Sequence, residues 1–289
     1  NLFKRLESSI YSLGLTIDRM INKIENTLNK ISESTNENIR LQTISEFDDE
    51  NIDEIFSDQL VGNKTQIFIG DIDLNEWSVS LTTDLNILKD LRESTKLVDS
   101  DNDAKLSDLK ALLREKIEHP IDGDNKKVVF FTAFADTAKY LYDHLSIALL
   151  ENYHIHSALV TGGSGDNKAT LYGVNTNDVN DILTNFSPIS KGRDKTNNSI
   201  SEEIDLLIAT DTISEGQNLQ DADYLINYDI HWNPVRVIQR FGRIDRIGSK
   251  NKRIQLVNFW PNVDLDTYLN LEQRVKGRMV MLNISATGE

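Results

Sequence analysis

From Lys126 to Trp260 the chain is punctuated by five short apolar runs rich in β-branched and aromatic residues: KKVVFFTAF, HSALV, IDLLIAT, ADYLINY and RIQLVNFW. They predict strands at about 127–132, 156–160, 204–209, 223–228 and 253–260. Runs so close to continuously apolar must be covered on both faces. The covers are at hand, in helical patterns from Asp136 to about Glu151 and across TNDVNDILTNF. Doubly apolar strands alternating with helices predict an α/β domain on a doubly wound parallel sheet. With 39% of 289 residues hydrophobic, the chain can supply that core. A closing helix is expected from Val263, and no internal repeat is present.

Before His119-Pro120 the periodicity is helical. Leu2, Leu6, Ile10, Leu13, Ile17, Ile21, Ile24, Leu28 and Ile31 recur at three- and four-residue steps and predict one long amphipathic helix over 2–32. Further helices are expected from Trp77 to Leu97 and from Ala104 to Ile117. Between them, residues 33–63 read as a polar, acidic connector with a short helix near 51–59. The expected division is an acidic helical extension, 1–100, followed by the sheet domain, 101–289. Because Leu2 and Phe3 already belong to a helical pattern, the chain reads as a piece of something longer.

Charge is unevenly placed. The net value is −15, yet residues 236–253 hold seven bases and one acid. The local patch therefore says more about partners than the average does. Without cysteine the chain has no disulfide, thiolate metal site or cysteine nucleophile, which fits a reducing cytoplasm. No apolar run of membrane-spanning length and no secretory leader pattern is present, so a cytoplasmic protein without membrane association is expected. Asp48-Asp49-Glu50 follows no apolar strand and reads as solvated charge. His154 and His156 have no third ligand in view, and no metal site is expected.

In open parallel sheets ligands gather at the carboxyl ends of the strands. After the second strand stands TGGSGDNKAT, either a surface loop or a loop whose backbone N–H groups reach a phosphate. It is not a P-loop, because no Gly-Lys-Ser/Thr closes it. After the third stands ATDTISEGQNLQ, which crowds polar groups onto a strand-to-helix turn. After the fourth, NYDIHWNP leads into a helix carrying Arg236, Arg240, Arg243 and Arg246. Taken alone, that helix is either a solvated basic face beside Asp245 or an anion site. Guanidinium groups match phosphate oxygens with paired donors, and so can hold charge on a transferring phosphoryl group.

These segments carry a family resemblance. QRFGRIDR resembles motif VI of superfamily 2 helicases and translocases, IATDTISEGQNLQDADYLINYD their motif V with the following strand, KVVFFTAFADTAKYL motif IV, and VTGG the loop after it. The closest likeness is to Swi/Snf-like helicase-related ATPases, in particular the bacterial branch that includes the RNA-polymerase-recycling factor. The four motifs stand in the family's order over roughly residues 105–260.

The resemblance implies a two-lobed enzyme with ATP and Mg2+ between RecA-like lobes. The first lobe brings the P-loop and Walker B acids, which this sequence lacks; the second brings motifs IV to VI. Arg243 and Arg246 correspond to the motif VI arginines facing the γ-phosphate, with Arg246 the arginine finger. Gln239 stands where many helicases have His and the Swi/Snf branch has Gln. Gly216 and Gln217 would lie toward the nucleotide. Thr210 and Ser214, with Thr132, Thr161 and Gly162, would hold a nucleic-acid backbone, DNA ahead of RNA, without reading bases. Arg236 and Arg240 fall to the fold, through Asp211 or Glu215. The implied partners are the N-terminal RecA-like lobe of the same full-length protein, the nucleic acid, and RNA polymerase or another protein complex. The chain alone is expected to be inactive. The competing reading is a RecA-like module that binds nucleic acid or protein without catalysis, and the intact pair Arg243 and Arg246 argues against it.

Overall fold

The structure, a computed structural model, describes residues 2–34, 73–162, 166–195, 200–213, 217–230, 234–246 and 248–261. The short helix near 51–59, the closing helix from Val263, Asp48-Asp49-Glu50, Ser214 and Gly216 lie outside them. Two compact units emerge. One comprises residues 1–5 and 13–98, the other residues 6–12 and 99–289.

The helical unit is built from most of α2 (Ile10–Ser34) and from α3 (Leu74–Lys96). Leu13, Ile17 and Leu88 bury together, and an ion pair of Arg92 with Asp18 at 2.6 Å ties the two helices. Asp73 caps α3 by accepting from Asn75 N and Glu76 N. The expected single helix over 2–32 is broken: α1 (Leu2–Ser8) ends and α2 begins at Ile10. The interruption coincides with long-range bonds. Ser8 Oγ donates to Asp229, and the hydroxyls of Ser8 and Ser9 both pair with Thr137 Oγ1. Lys105 Nζ donates to the carbonyls of Glu7 and Ser8, satisfying groups that a continuous helix would have used.

In the other unit, α4 (Ala104–Glu118), α5 (Ala135–Tyr153), α6 (Val179–Phe186) and α7 (Pro234–Phe241) accompany a six-stranded sheet. Its strands are β1 (Val128–Thr132), β2 (His156–Val160), β3 (Lys168–Ala169), β4 (Ile204–Thr210), β5 (Tyr224–Asn227) and β6 (Gln255–Asn258). Their order is β3-β2-β4-β1-β5-β6, with every pairing parallel except that of β2 with β3. The two-residue β3 carries no apolar run, which is why the sequence did not announce it.

Alternation along the central strands feeds two cores. Val128 and Phe130 pack with Leu106, Leu109, Leu113, Leu141 and Leu145 on one face, whereas Val129 and Phe131 pack with Ile182, Leu183 and Phe186 on the other. Both clusters are almost wholly excluded from water, as the continuously apolar strands require. Because the long strands run parallel, their carboxyl ends share one edge. There Thr132 lies in register with Thr210, Val160 with Ala209, and Phe131 with Asn227.

Candidate nucleotide and nucleic-acid interface

The motif segments meet at this edge. Thr210 closes β4 and its hydroxyl bonds that of Thr212 in the turn beyond. Gly162, just past β2, abuts the same Thr212: a Cβ at Gly162 would stand 2.7 Å from Thr212 Cγ2. Thr161 beside it is buried, its N–H donating to Asn167 Oδ1 and its hydroxyl without a partner among the described residues. Thr161, Gly162 and Thr210 thus form one cluster. Gly162→Ala should cost about 1 kcal/mol, the low end for overpacking because Thr212 is exposed, and Thr212→Ser should recover most of it by removing Cγ2. Urea unfolding of Gly162→Ala and of Gly162→Ala/Thr212→Ser checks this.

Thr132 is placed differently from its expected role. It is fully buried, and its hydroxyl donates to Asp229 Oδ2 at 2.5 Å while Ala133 N donates to Oδ1 at 2.7 Å. With that hydroxyl committed inward, Thr132 braces the edge instead of offering a donor to a phosphate. Gln217 is half-buried, and its Oε1 accepts from Lys191 Nζ at 2.8 Å. Burial lowers the Lys191 pKa.

The arginine row divides. Helix α7 ends at Phe241, so Arg243 and Arg246 stand in the turns after it and not on the helix. Arg240, the last arginine of the helix, is fully buried. Its Nε and Nη2 donate to the two oxygens of Asp211 at 2.7 and 2.8 Å, its Nη1 to Asn227 Oδ1 at 2.9 Å and to Asp229 O at 3.3 Å. The guanidinium also lies over the Phe131 ring. Arg240 therefore serves the fold through Asp211, as the sequence led us to expect.

The turn that follows is fixed by its backbone. Arg243 N–H donates to Arg240 O, Leu219 N–H donates to Arg243 O, and Ile244 is fully buried. Arg243 is buried, whereas Arg246 is exposed, its Nε donating to Gly242 O and its guanidinium making no ion pair among the described residues. Gln239 and Asp245 are also exposed. Among the described residues the edge thus offers an outward guanidinium just past the turn, an exposed amide on the preceding helix, and hydroxyl and backbone donors from neighbouring strands. This donor set suits anionic oxygens.

Sequence reasoning missed Asp229 and Lys105. Asp229 stands two residues past the end of β5, and a carboxylate so close to a strand end was the available signal. Lys105 carried none, since nothing marks a lysine in a helix's first turn as one that turns inward. Lys105 Nζ sits 3.9 Å from a Glu7 carboxyl oxygen and 4.1 Å from the centre of the Tyr228 ring. Burial pushes the Glu7 carboxyl up to about 8 and the Lys105 ammonium down.

Residues 104–248, half of the chain, match the family described as helicase conserved C-terminal domain. An uncharacterized ATP-dependent helicase, YqhH, of Bacillus subtilis is 52% identical over 17% of this chain and 9% of its own length. The putative ATP-dependent DNA helicase fml2 of Schizosaccharomyces pombe is 30% identical over 50% of this chain and 16% of its own. The ATP-dependent rRNA helicase RRP3 of Scheffersomyces stipitis is 36% identical over 26% and 15%. The matches thus span only about a sixth, or less, of the length of these relatives.

Proposed function

The chain belongs to the helicase conserved C-terminal domain family, and from that premise we propose that it is the second motor lobe of an ATP-dependent, nucleic-acid-stimulated translocase of the Swi/Snf-like branch. The observation that carries the reading is the split arginine row: Arg240 anchored inside by Asp211, Arg246 outward on the turn that follows. That guanidinium makes no ion pair among the described residues, which supports a part in hydrolysis over a module that only binds. Gln239, exposed on the same segment, supports the Swi/Snf assignment.

The side chains fit a nucleotide held from its other side. Arg246 and Arg243 are the residues that would meet its terminal phosphate, and Gln239 with the motif V residues Gly216 and Gln217 are proposed to lie toward the nucleotide. ATP supplies the phosphoryl group that passes to water, and the accompanying Mg2+ falls to the lobe that bears the P-loop. Arg246 neutralises charge that develops on the phosphoryl oxygens, and its mounting on a prearranged turn avoids reorganisation during the step. Arg243 joins Arg246 there as the second motif VI arginine, and its backbone N–H and carbonyl hold the turn through Arg240 O and Leu219 N–H.

Thr161, Gly162, Thr210 and Ser214 hold the sugar-phosphate chain through hydroxyl and backbone donors, which gives sequence-independent binding. DNA is the proposed track, with RNA the alternative, and RNA polymerase or another protein complex is a proposed partner. Steady-state ATPase of this chain alone, and of the protein that also carries the P-loop lobe, tests the reading with DNA and RNA as stimulants. The chain alone should be inactive and the two-lobed protein stimulated by DNA more than by RNA. Appreciable turnover by the chain alone, or no stimulation of the two-lobed protein by either nucleic acid, would sink it.

A further inference from the structure

The segment Leu6–Ser12 lies some ninety residues before the matched helicase domain, yet it belongs to the sheet unit. Ser8 is fully buried, and its Oγ donates to Asp229 Oδ2 at 2.7 Å. A hydroxyl has one proton to give, so the 2.8 Å bond between Ser8 Oγ and Thr137 Oγ1 must be donated by Thr137. The 3.2 Å bond between Thr137 and Ser9 is then donated by Ser9, whose own oxygen accepts from Ser12 N. The result is a directed chain of hydroxyls, Ser9 to Thr137 to Ser8, ending on Asp229. Beside it the Glu7 carboxyl accepts from Ile230 N–H, and Lys105 holds the carbonyls of Glu7 and Ser8.

What this segment grips is the start of the connection from β5 to α7. Tyr228, Asp229 and Ile230 are its first residues and all three are buried, and the Asp229 carbonyl accepts from Arg240 Nη1. Arg240 O in turn accepts from Arg243 N–H. A continuous path of hydrogen bonds, 2.7 to 3.3 Å long, therefore runs from Ser8 through Asp229 and Arg240 to the turn that leads to Arg246. Resting on the motor-lobe reading above, we infer that Ser8 is a positioning residue for ATP hydrolysis, and that Leu6–Ser12 is a functional part of the motor lobe although it lies outside the helicase domain proper.

The test uses the two-lobed protein. Ser8→Ala should lower nucleic-acid-stimulated kcat by about 10-fold, well short of the 100-fold that a 1 Å displacement of a reacting group can cause, with KM for ATP and nucleic-acid affinity unchanged. Thr137→Val, close to isosteric, breaks the hydroxyl chain from the helix side and should reproduce the effect if Ser8→Ala fails to fold. In an Arg246→Lys background the Ser8 change should add little, because it acts through that turn. Wild-type kcat in a folded Ser8→Ala, or in Thr137→Val where Ser8→Ala does not fold, overturns the inference. So does a kcat loss that is fully additive with Arg246→Lys. No stimulation of the two-lobed protein by either nucleic acid would instead defeat the motor-lobe reading itself, so the two failures are distinguishable.

Discussion

Replacing Arg246 by alanine in the two-lobed protein is expected to lower nucleic-acid-stimulated ATP turnover by about 10³- to 10⁵-fold, the range for loss of an arginine finger. ATP affinity should stay within a few-fold of wild type, since most nucleotide contacts are assigned to the other lobe. Stability should change by less than about 0.5 kcal/mol, as for other exposed sites without special features, because the side chain gives up a single bond to Gly242 O. This combination is diagnostic: a large kinetic effect from a residue that contributes almost nothing to the fold. Arg246→Lys should recover only part of the loss, since an ammonium retains charge but not the paired donors of a guanidinium. Equilibrium nucleotide binding, urea unfolding and steady-state turnover measured on the same preparations decide it. Wild-type turnover in Arg246→Ala would remove the finger assignment.

The contrast with Arg240 shows what a sequence reveals and what it withholds. The strands were legible because burial on both faces leaves a continuous apolar record: all five residues of β1 are buried, and six of the seven in β4. That the strand ends would carry the motif residues followed from parallel topology alone. The break at Ser9 was illegible because the apolar stripe continues through it in phase. What divides α1 from α2 is a set of hydroxyl bonds to Thr137 and Asp229, partners more than a hundred residues away. Thr132 misled for a related reason. A threonine at a strand end can face outward or brace its neighbour, and the carboxylate that claims it, Asp229, lies on another strand's exit. Even-looking spacing concealed that α7 stops at Phe241, placing the arginines in two different settings.

Arg240→Met should damage the fold strongly. The methionine can keep some packing against Phe131, but Asp211, Asn227 Oδ1 and Asp229 O all lose their donor at once. Removing one partner from a buried ion pair typically costs about 3–5 kcal/mol, mostly because the other is left uncompensated. Asp211 keeps partial access to water, its side chain 24% exposed, so the lower end of that range is expected. Against a total of about 5–15 kcal/mol for a domain, even that loss is large. Arg240→Met/Asp211→Leu provides the control. With both charges gone, much of the stability should return, because a buried pair replaced as a unit by apolar groups is often close to neutral. Turnover in that double variant should nevertheless stay low, since Asp229 O no longer has a partner linking it to the turn that bears Arg246. Urea midpoints for the single and double variants, read beside their turnover, separate holding the fold from aiming the finger. A loss below about 1 kcal/mol in Arg240→Met would show that the Asp211 pair is not what anchors α7.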